Sequence, residues 1–172
     1  FDALGLAQQN LIEMVGPTVS YFKDFRKPIL LAATPATIFS ELYQNAFQML
    51  GIKIDIVAIP KLAGAIEFDV SSMDKKLLIA GAFAPYDMKK YGVIILACTH
   101  YPLALTSFRE VLGDIPFFDP AEAVAQRVKK QLWPREVADG KLRLLVSHDT
   151  PQFRAHVTEL LPDASYIIEV LD

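Results

Sequence analysis

The sequence has 172 residues, 52% of them hydrophobic, a net charge of −3 and a single cysteine. That length holds one ordinary domain, or one with part of a second, and is enough to bury a core. The slight negative charge without a basic run excludes a nucleic-acid surface, and no apolar run reaches the ~20 residues needed to cross a bilayer. One cysteine excludes an internal disulfide framework and fits a reducing compartment, read here as the cytoplasm.

Residues 1–15 place Leu4, Leu11, Ile12 and Val15 around a polar run, Gln8-Gln9-Asn10. This predicts an amphipathic helix ending at Gly16-Pro17. Residues 18–25 are aromatic and suggest a short second helix. Residues 28–34 form an apolar run that predicts a buried strand. The turn Thr34-Pro35-Ala36-Thr37 follows, then a helix over 38–50 with apolar residues Ile38, Leu42, Phe47 and Leu50 at helical spacing and Gly51 as its stop. Strand, turn and helix make half of a βαβ unit. Residues 53–59 alternate and are β-branched, so the next strand lies there, closed by Pro60. The apolar segment 62–66 ends in Glu67. Further on, Ser71 or Ser72 caps a helix through Leu78, and 82–86 reads as a loop or short helical turn.

Residues 93–97 are an unbroken apolar strand, followed abruptly by Cys98, Thr99 and His100. Pro102 then opens a helix running to Leu112. A short strand at 115–118 leads to Asp119-Pro120, an N-cap and first helical residue, with the helix running to about Leu132. A polar loop, 133–140, precedes a strand at 142–146. Asp149 or Thr150 caps a helix to about Leu161, and 166–171 is the last strand. Strands alternate with helices almost throughout, which predicts an α/β three-layer sandwich with a mostly parallel sheet.

Cys98, Thr99 and His100 fall where a central strand ends and a helix begins, the position at which open α/β sheets bind ligands. A thiolate suits a proton-abstracting role, because its pKa of about 8.5 drops at a helix N-terminus or beside a cation. His100 can stabilise the thiolate or shuttle a proton. Backbone N–H groups at the helix start, with the Thr99 hydroxyl, can hold a carboxylate.

The remaining polar residues read more simply. Thr34 and Thr37 are a cap and a turn residue, with substrate contact an even alternative for Thr37. Glu67 is a solvated carboxylate unless it assists the cysteine. His148 and His156 have no acidic or sulfur cluster beside them and make no metal site. The aromatic residues Tyr21, Phe22, Phe25, Phe39, Tyr43 and Phe47 suit a core or an interface. No glycine-rich phosphate loop exists, so no nucleotide cofactor is inferred.

The run Ala97-Cys98-Thr99-His100-Tyr101-Pro102-Leu103, set after an apolar strand, resembles the second catalytic-cysteine motif of the glutamate racemases, within the aspartate/glutamate racemase superfamily. Aspartate-type members carry an acidic residue where this chain has His100. Thr34-Pro35-Ala36-Thr37 is similar to that family's strand-end turn with two threonines. The segment from Ile59 to Glu67 is similar to the one whose glutamate assists the cysteine–histidine pair, except that the family has a glycine soon after it and Phe68 follows here.

The resemblance implies an aspartate/glutamate racemase-like fold and a cofactor-independent racemase supplying D-glutamate for peptidoglycan. Cys98, His100 and Glu67 would be catalytic; Thr99, His100 and Thr37 would meet a small-molecule substrate, glutamate. The family's first domain, with its Asp-Ser-Gly loop and a cysteine beside Asn-Thr, is not found. The chain is therefore expected to be a piece lacking ~90 residues of that domain. On this reading 1–27 is a remnant of the first domain, 28–140 is the second, and 141–172 returns to the first. The piece alone is expected to be inactive and, with apolar terminal segments, to form a homodimer. An aspartate- or hydantoin-type racemase, and a non-catalytic α/β interaction module, are the alternatives.

Overall fold

The structure, a computed structural model, describes residues 12–132 and 142–171. The chain divides into two compact units, Phe1–Trp133 and Pro134–Asp172. The expected helix over residues 1–15 and the loop over 133–140 lie almost wholly outside the described residues.

In the first unit, β1 (Ile29–Ala33), β2 (Ile54–Ala58), β3 (Val93–Leu96) and β4 (Phe117–Phe118) form a sheet in the order β2-β1-β3-β4. All its pairings are parallel, with Leu31 level with Ile56 on one side and Ile95 on the other. Every residue of β1 and β3 is buried. Their side chains alternate between two apolar layers. Leu30, Ala32, Ile94 and Leu96 face a cluster that contains Leu62, Ile79, Tyr101 and Phe108. Ile29, Leu31, Ala33, Val93 and Ile95 face another, with Phe22, Tyr43 and Phe47. This explains the unbroken apolar runs: a strand covered on both faces has no polar side to show in its sequence.

One covering layer holds α1 (Val15–Tyr21) and α3 (Leu42–Met49); the other holds α4 (Leu62–Glu67), α5 (Ser72–Phe83) and α6 (Leu105–Leu112). The α/β three-layer expectation therefore holds for this unit. The short helix α2 (Pro35–Phe39) follows β1, and α7 (Pro120–Leu132) follows β4. Asp119 accepts a hydrogen bond from the Ala121 N–H at 2.9 Å, as an N-cap should.

Three local expectations are corrected. Gly16-Pro17 does not end a helix; it lies in the first turn of α1. Proline suits that turn, where its missing N–H costs no helical bond; the Gly16 N–H meanwhile donates to the Glu13 carboxylate at 2.9 Å. The helix expected over 38–50 is broken in two. Glu41 adopts a left-handed conformation, φ 56°, between α2 and α3. The break turns Tyr43 and Phe47 onto the sheet and leaves Phe39 90% exposed. Thirdly, α5 runs past Leu78 to Phe83, because Ile79 and Phe83 continue its buried face.

The second unit is β5 (Leu142–Val146), α8 (Pro151–Leu160) and β6 (Tyr166–Val170), a parallel strand pair joined through a helix. Thr150 caps α8 by accepting from the Phe153 N–H at 3.1 Å. Arg143 and Glu169 pair across the strands, and Val157 is buried.

Candidate active site

The connection from β1 runs to β2 on one side, whereas β3 lies on β1's other side. The chain thus reverses direction across the sheet between β1 and β3. At such a point the loops leaving the two strand ends diverge and open a crevice beyond their carboxyl ends. The loop after β1 carries Thr34 and Thr37, and the loop after β3 carries Cys98, Thr99 and His100. Hydrogen bonds hold these strand ends together: the Ala97 N–H donates to the Ala32 carbonyl at 2.8 Å, and the Ile59 N–H to the Ala33 carbonyl at 3.0 Å.

Cys98 is half-buried and packs beside the cluster that includes Leu62 and Tyr101. It is neither sealed in the core nor fully solvated, as a reactive thiol requires. The expected helix N-terminus beside it is absent. Residues Tyr101–Ala104 instead form a 3-10 turn, and α6 begins only at Leu105. A helix dipole acts within about its first turn, so α6 lends Cys98 little. Two of the N–H groups in this turn are already used: Tyr101 donates to the Cys98 carbonyl at 3.0 Å and Leu103 to the His100 carbonyl at 3.0 Å.

His100 is positioned by Glu67. Its Nε2 lies 2.7 Å from Glu67 Oε2, joining residues 33 apart in sequence. Both side chains are partly exposed, 35% and 52%. A pair so open to solvent adds under about 1 kcal/mol to stability. Its value is directional: a carboxylate on Nε2 fixes the ring orientation. On the other ring nitrogen, Nδ1, the Thr99 hydroxyl lies 3.5 Å away. Glu67→Gln keeps the shape but removes that charge, and is expected to cost fold stability less than about 1 kcal/mol by urea denaturation.

Across the switch point the Thr34 and Thr37 hydroxyls are 3.0 Å apart, and Thr34 also accepts from the Thr37 N–H at 3.2 Å. Thr34 is thus the cap of α2, and Thr37 sits partly exposed in its first turn. His148 and His156 belong to the second unit. Among the described residues no group of three His, Cys, Asp or Glu is placed to hold a metal ion, and no helix is long and apolar enough to cross a membrane. A hollow of about 420 Å³ lies at the opposite edge of the sheet, where Arg26, Lys27, Lys53 and Asp55 line the amino ends of β1 and β2; no predicted site residue reaches it.

Sequence reasoning passed over Tyr101, which is wholly buried directly behind the Cys98–His100 turn. Its hydroxyl donates to the Ile59 carbonyl at 3.2 Å. Burial, and then the negative charge Cys98 can carry, push its ionisation well above the ordinary tyrosine range. It therefore stays a neutral donor. In the sequence it stood inside the motif, with nothing local to show that its hydroxyl would be buried.

No family model matches the chain. Among curated proteins it is 40% identical over 103 residues to the glutamate racemase of Lactobacillus helveticus, covering 58% of this chain and 39% of that protein. It is 31% identical over 135 residues to the glutamate racemase of Prochlorococcus marinus, covering 74% of this chain and 50% of that one. The chain is a homologue of the glutamate racemases. Its matches span half or less of those relatives' length. The chain also shares their fold. Against a Francisella tularensis glutamate racemase solved with D-glutamate, the TM-score is 0.82 at 22% identity, over 94% of this chain and 63% of that one. Against a glutamate racemase from Bacillus anthracis it is 0.80 at 24% identity, over 99% and 68%.

Proposed function

We propose that this chain carries one half of the active site of a glutamate racemase, with Cys98 as one of two opposed acid/base groups. The observation that supports this is the chain's single thiol, half-buried at the sheet's switch point, beside a histidine oriented by a carboxylate. The Cys98 thiolate takes the α-proton from one face of the amino acid. The electron pair left on the α-carbon spreads into the substrate carboxyl group. A second acid delivers a proton to the other face and inverts the centre. His100, held by Glu67, stabilises the thiolate and passes protons to and from solvent. Thr37 and Thr99 hold the substrate's polar groups. Each role draws on side chains alone, and no cofactor is invoked.

The sequence contains one cysteine, so in a two-thiol mechanism the opposing thiol comes from the rest of the whole protein. The piece given by this sequence is expected not to racemise by itself. The product, D-glutamate, serves peptidoglycan synthesis in the cytoplasm, and the protein works as a homodimer. Exposed Leu145, Ile167, Val170 and Leu171 in the second unit agree with pairing; a clean monomer by light scattering at high concentration would remove that part.

The test is incubation of the whole protein with L-glutamate in D₂O. Deuterium at the α-carbon and the appearance of D-glutamate are expected. Exchange into aspartate alone would move the substrate assignment to the aspartate-type racemases. Exchange into neither would leave a non-catalytic module and end the proposal.

A further inference from the structure

We propose that Tyr101 is a positioning residue, whose buried hydroxyl fixes the spacing between the turn that carries His100 and the start of α4, the helix that ends in Glu67. The inference rests on the reading of those two side chains as the working pair of the site.

His100 and Glu67 stand in separate segments, a turn and the end of α4. The first follows β3 and the second follows β2, and β1 lies between those strands. The ladder bonds of the sheet therefore do not link the two segments directly. The Tyr101–Ile59 hydrogen bond does, joining residues 42 apart. Tyr101 follows His100 directly, and Ile59 immediately precedes Pro60 and the left-handed Lys61 (φ 66°) from which α4 starts. Along α4, Leu62 and Ile66 are packed into the same buried cluster as Tyr101, and Glu67 is the last helical residue. The tyrosine ring is fixed at its far side by Phe108, with centroids 5.8 Å apart. One rigid side chain thus sets the height of both segments above the sheet.

The carboxylate–imidazole bond of 2.7 Å joins two partly exposed side chains. Ordering two flexible side chains costs entropy, which a fixed base reduces. The same hydroxyl satisfies the Ile59 carbonyl, which the core shields from water. Phenylalanine at 101 keeps the ring but leaves that carbonyl without its partner and the two segments without their tie.

The experiment reads Cys98 directly. Its alkylation rate by iodoacetamide at pH 7 is followed by peptide mass spectrometry in the whole protein, for the parent, Tyr101→Phe, Glu67→Gln and the double variant. Each single change is expected to slow alkylation roughly three- to tenfold, the equivalent of one lost hydrogen bond. The double variant should be no slower than Glu67→Gln alone, because the tyrosine acts through that pair. Phe47→Leu, which loosens the core on the opposite face of the sheet, serves as the control and should leave the rate unchanged.

A Tyr101→Phe rate equal to the parent's overturns the proposal. So does a multiplicative slowing in the double variant, or an equal slowing in Phe47→Leu, which would mark a general loss of packing. If Tyr101→Phe does not fold, a ring-fluorinated tyrosine at 101 provides the same test. As a stronger donor of nearly the same shape it should match or exceed the parent rate, and a slower rate would sink the idea. Alkylation needs no turnover, so a whole protein without racemase activity would refute the proposed function and leave this result readable by itself.

Discussion

Cys98→Ala in the whole protein is expected to lower α-proton exchange on its substrate by about 10²–10⁴-fold, the usual worth of a positioned acid/base group. Deuterium uptake from D₂O, followed by NMR, measures it. Cys98→Ser should fall nearly as far, because a hydroxyl is not appreciably ionised near neutral pH. The loss should be chemical and not structural. Cys98 is only half-buried at the rim of its cluster, so removing one sulfur leaves a gap that solvent fills, and the urea midpoint should move little. Retained exchange in a folded Cys98→Ala protein would mean that another group takes the proton.

The second large effect is on stability. Phe108→Ala is expected to cost about 3–5 kcal/mol, a large part of the ~5–15 kcal/mol that holds an ordinary domain folded. Phe108 is wholly buried and touches Tyr101, Phe83 and Phe117, with ring centroids 5.8, 6.2 and 5.9 Å away. Those rings come from α5, β4 and the turn behind Cys98, and Phe108 itself from α6, so no single element can collapse into the space. Met73, 64% exposed on the same layer, provides the contrast: Met73→Ala should stay within about ±0.5 kcal/mol. Urea denaturation of both variants checks the pair. Equal costs would mean that this layer is not packed as described.

How much of this was legible beforehand depends on the range of the interaction. Strands β1, β2, β3, β5 and β6 were all visible, because burial writes itself into consecutive residues as runs or alternations. The caps at Thr34, Asp119 and Thr150 were visible too, since each satisfies an N–H two or three residues away. The motif around Cys98 pointed to a family to which the sequence is indeed related. By contrast, the break at Glu41 had no glycine or proline to mark it. It exists because α3 must lay Tyr43 and Phe47 on the sheet. The 3-10 turn after His100 was likewise read as ordinary helix. Its form follows from Tyr101 being drawn into the core while Leu103 stays outside.

The sequence by itself determined the alternation of strands and helices and the presence of a thiol and an imidazole at one strand's end, since those features need only neighbours along the chain. Tertiary structure decided the strand order that puts the turns after β1 and β3 at one switch point of the sheet. It also decided that Glu67, of all the carboxylates, meets His100, and that Tyr101 ties their segments together. Contacts across 33 and 42 residues leave no local trace, because what selects them is the shared burial of whole elements in one core, not any preference of the residues themselves.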